Sequence, residues 1–243
     1  MRWLCIRCSA VYDERPPACG ACYRHDMLVP QPSVLRGREV SAAPRRRAGA
    51  VQASVLKPDR ALAWYSDPWR AAWKLGRQHA LLLLGPPGGG KSTLATQMAI
   101  SAARQVEVFY VAAEEGHSAL LADRLERSGL DDLSGHRLRV SDARDLLELV
   151  EDLDGSVAKL VVLDSLTELR LSARSLAETM LGRCWIGIVH VNVRGGVYGG
   201  QEVAHISDVV VNVEDGLATP IKNRWGGMDP VRVWPERNGS VDG

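Results

Sequence analysis

The chain of 243 residues is 46% hydrophobic and 24% charged, the balance of a folded protein rather than a disordered one. That length allows one or two domains of about 100–200 residues. The longest purely apolar run, around Ala80–Leu84, is far shorter than the ~20 residues of a membrane-spanning helix. No apolar leader separates Met1 from Cys5, so the expectation is a cytoplasmic protein with no membrane partner. The net charge of +1 conceals an asymmetry: residues 1–60 hold 11 Lys and Arg against 5 Asp and Glu, the remainder 19 against 24. A basic front segment thus precedes a mildly acidic body. Arginine outnumbers lysine 25 to 5, which makes the positions of the few lysines informative.

In chain order, four of the five cysteines come first, as Cys5-x2-Cys8 and Cys19-x2-Cys22. Two CxxC knuckles at this spacing suit a tetrahedral Zn²⁺ site, since each tight turn aims two thiolates at one point. Disulfides or a redox CxxC are the alternatives. A short segment with little apolar content and no leader favours a metal, and four thiolates would make it structural. Residues 1–30 are therefore expected to form a zinc ribbon. From 31 to 60 the periodic pattern vanishes, with Pro32, Pro44 and Pro58 set among Arg36, Arg38 and Arg45-Arg46-Arg47. This reads as a basic flexible linker, either merely solvated or touching nucleic-acid phosphates. Ser66-Asp67-Pro68 suggests a capped helix start, placing Trp69 and Trp73 on one helix face.

The apolar strand at Ala80–Leu84 runs into Gly85-Pro86-Pro87-Gly88-Gly89-Gly90-Lys91-Ser92-Thr93 and then a helical stretch, 94–104. Strand, G-x4-G-K-S, helix is the context of a phosphate-binding loop. Its backbone N–H groups and helix N-terminus face the phosphates of ATP. Lys91 reaches the β- and γ-phosphates, Ser92 ligates Mg²⁺, and Thr93 adds a further contact.

Strands and helices then alternate: strand 106–112, helix 117–128, strand 137–140, helix 145–153, strand 160–163, helix 173–183, strands 185–191 and 209–213. The fold class is therefore α/β, with a mainly parallel sheet covered on both faces. Cys184 falls in an apolar run and reads as a core residue. Ligands of such sheets sit beyond the carboxyl ends of the strands. Asp164, at one such end, is the expected second Mg²⁺ anchor. Glu114 and Glu115, at another, are candidates for polarising the attacking water, or simply surface acids. His190, at a third, is either a γ-phosphate sensor or a satisfied core histidine; Asn192 is a weaker candidate of the same kind. Lys222 and Arg224, read alone, would form a solvated turn.

Together these segments resemble the bacterial RadA (Sms) family of RecA-like recombination ATPases. The carriers are the four-cysteine front, the segment Tyr110-Val111-Ala112-Ala113-Glu114-Glu115, Leu163-Asp164-Ser165, and His190-Val191 followed by Gly195, Gly199, His205 and Asp208. The most specific is Lys222-Asn223-Arg224-Trp225-Gly226, similar to the family's Lys-Asn-Arg-Phe-Gly. The resemblance implies a RecA-like domain over 61–243 and Glu114, rather than Glu115, as the base. It also implies a homo-oligomeric, hexameric ring that hydrolyses ATP with Lys222 and Arg224 acting across subunits. DNA, single-stranded or branched, is the implied substrate, with recombination or replication proteins as partners. Three departures stand beside this. The chain ends at Gly243 without the family's Lon-protease-like domain, which reads as a short form. Only 20 residues separate Asp164 from Trp185, and Val193 stands where the family has lysine. The alternative is a RecA-fold switch or adaptor acting on protein partners without DNA translocation.

Overall fold

The structure, a computed structural model, describes residues 79–191, 200–224 and 229–234, with short strands at 3–5, 11–12, 28–30, 63–64 and 74–75. The chain divides into two compact units, Met1–Pro58 and Asp59–Gly243. In the first, β1 (Trp3–Cys5), β2 (Val11–Tyr12) and β3 (Leu28–Pro30) form an antiparallel sheet in the order β2-β1-β3. Cys5 ends β1; Cys8, Cys19 and Cys22 lie outside the described residues, as does the linker. Among the described residues no group of three or more His, Cys, Asp and Glu side chains could hold a metal ion.

The second unit begins with an antiparallel pair, β4 (Ala63–Trp64) and β5 (Lys74–Leu75); Trp69 and Trp73 fall outside the described residues. Next come β6 (Ala80–Gly85), α1 (Lys91–Ala103), β7 (Val108–Ala112), α2 (Ala119–Arg127), α3 (Asp132–Gly135), β8 (Leu138–Ser141), α4 (Leu146–Leu153) and β9 (Leu160–Asp164). They are followed by α5 (Leu166–Leu169), α6 (Ala173–Thr179), β10 (Cys184–His190), α7 (Gly200–Ile206), β11 (Val209–Glu214), β12 (Leu217–Asn223) and β13 (Val231–Arg232). Eight strands form one sheet in the order β13-β12-β11-β6-β10-β9-β7-β8. The six from β11 to β8 are parallel; β12 and β13 join antiparallel.

Period-2 alternation divides the strand residues between two cores. Leu81, Leu83, Tyr110, Val162, Ile186 and Val211 face α1 and α2, against Leu94, Met98, Leu121 and Leu125. Leu82, Val111, Val161, Leu163 and Val210 face the other way, against Leu149, Leu166, Leu176 and Val203. Each such side chain fully buried stabilises the fold by about 1.5–3 kcal/mol. Serine and aspartate side chains start the helices by accepting from orphan N–H groups: Ser118 for α2, Asp145 for α4, Ser165 for α5 and Ser172 for α6. Gly187 lets α5 approach β10, because a Cβ there would collide with Leu166.

Two expected helices need adjustment. The helix expected over 173–183 stops at Thr179, and the chain then turns through Gly182 at φ +80°. Ser118 caps rather than joins α2, so that helix starts later than 117. The hairpin of β11 and β12, turned at Asp215-Gly216, and the short helices α3, α5 and α7 carry too few periodic residues to stand out in sequence.

Candidate active site

The order β6-β10-β9-β7 brings four strand ends side by side. Gly85 ends β6 opposite His190 on β10, while Asp164 ends β9 opposite Ala112 on β7. Glu114 follows two residues later. Gly85, at φ +141°, lies against the backbone of Val213, where a Cβ would clash. Gly88 and Gly90 take φ +75° and +106°, and Gly90 is the N-cap of α1. These left-handed conformations favour glycine and leave the first N–H groups of α1 facing the loop. Pro86 closes the turn by accepting from Gly89 N at 3.2 Å. Lys91 is buried, and its Nζ donates to Gly85 O at 2.9 Å and Pro86 O at 2.7 Å. Burial lowers its pKa, opposed by the charges of Glu114 and Asp164. The ammonium is thus parked on carbonyls it can exchange for phosphate oxygens.

Asp164 is 2% exposed. Ser92 Oγ donates to its Oδ1 at 3.1 Å and Tyr110 OH to its Oδ2 at 2.7 Å, with Arg124 3.7 Å away. Burial raises the carboxyl's pKa; the Tyr110 and Ser92 hydrogen bonds and the Arg124 charge oppose that. A hydroxyl and a carboxylate in contact beside the loop are a donor set suited to Mg²⁺, which prefers oxygen. Glu114 accepts from Ser165 Oγ at 2.8 Å and pairs with His190 Nε2. The His190 hydrogen bond is the main cause of its lowered pKa; burial acts the other way. Glu115 turns from it to pair with Arg124. The two acids therefore have separate surroundings. Among the described residues, buried polar atoms without partners remain at Glu115 Oε2 and His190 Nδ1. Both residues line a cleft of about 480 Å³ together with Gly88, Lys91, Ser92 and Glu114.

The other two candidates lie elsewhere. Lys222 and Asn223 pair with Val210 and Val209, and Val209 pairs with Leu81 at the start of β6. That is the amino end of the parallel strands, about 13 Å along β6 from Gly85 at ~3.3 Å per residue. Lys222 Nζ donates to Ala204, His205 and Ser207 O at 2.8, 3.2 and 2.6 Å. Arg224 donates to Asp208 Oδ1 at 3.2 Å, while Asp208 Oδ2 accepts from Ala80 N at 3.0 Å. Trp225 and Gly226 fall outside the described residues, as do Asn192, Val193, Gly195 and Gly199.

Residues 42–186 match the family described as the AAA domain. The chain belongs to that family. AAA domains carrying a phosphate loop typically hydrolyse ATP. The chain is also 26% identical to the DNA repair protein RadA of Brucella abortus (strain 2308), over 99% of this chain and 59% of that protein. It is 23% identical to the DNA repair protein RadA of Treponema pallidum (strain Nichols), over 95% of this chain and 55% of that protein. The chain thus spans less than two thirds of these relatives. The crystal structure of a KaiC-like protein from Pyrococcus horikoshii OT3 superposes with a TM-score of 0.53 at 18% identity, covering 71% of this chain and 94% of that one. The likeness supports a RecA-like α/β fold. No described helix is long and apolar enough to cross a membrane.

This AAA domain also uses side chains that the motifs do not mark. Tyr110, fully buried, holds Asp164 from the α1 side of the sheet. Arg124 joins Glu115, Asp164 and Thr96 Oγ1, the last at 3.2 Å. It lies three residues from buried Leu121 and one from buried Leu125. An arginine so placed on the apolar stripe of a helix calls for a buried acid partner.

Proposed function

We propose that the chain hydrolyses ATP and uses the cycle to act on single-stranded or branched DNA in recombination or repair. The observation that supports this most is the gathering of Lys91, Ser92, Glu114 and His190 around one cleft at the strand carboxyl ends, with Asp164 behind them on Ser92. Mg²⁺, held through Ser92 Oγ and the Asp164 carboxylate, would screen phosphate charge. Lys91 exchanges its carbonyls for the β- and γ-phosphates. Glu114, kept ionised by His190, orients a water molecule for attack and takes up its proton. His190, with its Nε2 on Glu114, senses the γ-phosphate through that pair and reports its loss to the segment that follows.

DNA as the substrate rests on the RadA likeness. Residues 1–30 act as a Zn²⁺ ribbon, with Cys5, Cys8, Cys19 and Cys22 as ligands, and a linker precedes the ATPase domain. Arg224 acts across a ring of copies on the neighbour's phosphates: its side chain is 57% exposed and, among the described residues, pairs with Asp208, and a strand's length separates it from its own loop. Lys222, carrying three carbonyls, would have to release them to do the same.

The test is turnover with and without single-stranded DNA at stated low salt, because phosphate contacts weaken steeply as salt rises. Glu114→Gln is expected to retain ATP binding and lose about 10²–10⁴-fold in hydrolysis, with Glu115→Gln milder. Mixing Arg224→Ala with Lys91→Ala is expected to restore part of the turnover, since each supplies what the other lacks. DNA-independent turnover with no DNA binding would replace DNA by a protein partner and leave the ATPase reading standing.

A further inference from the structure

Glu115 has no task in the chemistry above. Glu114 beside it orients the water, and Glu115 turns away to Arg124. The two side chains are 18% and 13% exposed. An ion pair so far out of water adds little net stability, so stability alone does not account for it. Its backbone ties Glu115 to the metal side of the site: Glu114 N donates to Asp164 O at 3.3 Å, and Gly116 N closes the turn on Ala112 O at 2.8 Å. Glu115 Oε1 accepts from Arg124, while among the described residues its buried Oε2 meets no partner.

Arg124 is held from two sides. Its Nε donates to Thr96 Oγ1 at 3.2 Å. Thr96 is fully buried and directs its single hydroxyl hydrogen to Ser92 O at 2.7 Å, so toward Arg124 it only accepts. Arg124 Nη2 rests on Glu115 and stops 3.7 Å short of Asp164 Oδ2, beyond hydrogen-bond range. A shift of about 1 Å would close that gap to a charge-assisted pair.

We infer that Glu115 is a positioning residue of the metal site: by holding Arg124 against Thr96 it keeps the guanidinium off Asp164, so that this carboxylate stays with Ser92 and open to Mg²⁺. A guanidinium and a divalent cation compete for the same oxygens. With Glu115 in place, Arg124 supports the charge of Asp164 from a distance. Without it, Asp164 is the nearest carboxylate within reach, and an internal pair would have to break each time the metal enters. The inference rests on the reading of Ser92 and Asp164 as Mg²⁺ ligands in a nucleotide cycle. It deepens that reading by giving the second acid a task distinct from that of Glu114.

Two quantities on the full chain test it: the Mg²⁺ concentration for half-maximal ATP binding, and ATP affinity in excess chelator, which reports on the phosphate loop without the metal. Glu115→Ala is expected to raise the Mg²⁺ requirement about 10–100-fold, the usual range when the support of a metal ligand is lost, and to leave affinity in chelator unchanged. Glu115→Gln removes the same charge but keeps an acceptor for Arg124, and is expected to stay near the wild type. Adding Arg124→Ala to Glu115→Ala is expected to recover part of the lost Mg²⁺ affinity, because the competing guanidinium is gone. An unchanged Mg²⁺ requirement in Glu115→Ala would overturn the proposal. So would Glu115→Gln as poor as Glu115→Ala, which would reduce the effect to charge, or a double variant no better than Glu115→Ala. An equal loss of affinity in chelator would make Glu115 a brace of the fold and overturn it as well. A wild-type chain that binds ATP with no regard to Mg²⁺ would remove the metal reading together with the proposal and leave the phosphate loop standing. One that binds no ATP would overturn all three.

Discussion

Lys91 and Lys222 are two of five lysines in an arginine-rich chain, and both rest their ammonium groups on backbone carbonyls. Lys91 sits on two carbonyls of its own loop, Gly85 and Pro86, at the carboxyl end of β6. Lys222 sits on three carbonyls around the end of α7, near the amino end of the same sheet. Burial lowers the pKa of both, but the charges beside them differ. Glu114 and Asp164 pull Lys91 back up, while at Lys222 Arg224 pushes further down and Asp208 pulls partly back. Lys91 thus faces acids inside a cleft that an anion would enter, whereas Lys222 neutralises the negative end of a helix. One lies in a cleft that an anion would enter; the other satisfies carbonyls at the end of a helix. The same residue type at two motif positions therefore has two physical situations.

The largest expected effect separates them directly. Lys91→Ala should remove tight ATP binding and lower turnover by about 10²–10³-fold, the usual loss when one charge-stabilising donor is deleted, with the melting temperature little changed. Lys222→Ala should do the converse. It deprives the end of α7 of a charged donor and should cost about 1–3 kcal/mol of stability by denaturant unfolding. If Lys222→Ala instead stops turnover at unchanged stability, its carbonyl contacts are incidental and its role lies at a neighbouring subunit's phosphates.

Tyr110→Phe comes next, and acts on both stability and site. Its hydroxyl is a donor to a carboxylate that burial already disfavours as an ion. Removing it leaves Asp164 Oδ2 with only the more distant Arg124 and should cost about 1–3 kcal/mol. The Mg²⁺ concentration for half-maximal ATP binding should rise as well. A variant with normal Mg²⁺ dependence would make Tyr110 a packing residue alone.

What could be read in the sequence follows from how local the information is. The phosphate loop was legible because strand, glycines and helix are contiguous. Asp164, Glu114 and His190 were legible because each ends, or closely follows, a buried strand. Their convergence depends on the strand order β6-β10-β9-β7, which no short segment encodes. Glu114 and Glu115 were adjacent letters; only the fold sends one to His190 and the other to Arg124. Tyr110 and Arg124 looked like ordinary strand and helix residues because their partners lie 54 and 40 positions away at Asp164. The β12 strand stayed hidden because Pro220 and alternating exposed residues weaken its apolar pattern.

A smaller effect concerns pH at the cleft end of this contrast. The folded pKa of Glu114 lies below its ordinary value, chiefly through His190. A depressed carboxyl contributes stability that is fully present above its ordinary value and lost as pH falls through the lowered one. The same carboxylate stays competent as a base down to that lowered value. His190→Ala removes the leading cause, so the acid limb of kcat/KM should move toward neutral pH, apart from any fall in the plateau. An unmoved limb would show that Ser165 and Lys91 suffice to hold the carboxylate ionised.

The smallest effect belongs to Arg224. It follows the strand that holds Lys222, yet its side chain is 57% exposed and meets, among the described residues, one carboxylate oxygen, that of Asp208. Solvent screens such a pair, and its loss is usually worth about 0–1 kcal/mol. Asp208 also keeps its other oxygen on Ala80 N, so it is not orphaned when the arginine goes. Arg224→Ala should therefore barely move the unfolding midpoint, well short of Lys222→Ala. A destabilisation as large as that of Lys222→Ala would mean that the two cations form one brace at the amino end of the sheet. Arg224 would then have no slack with which to reach another subunit.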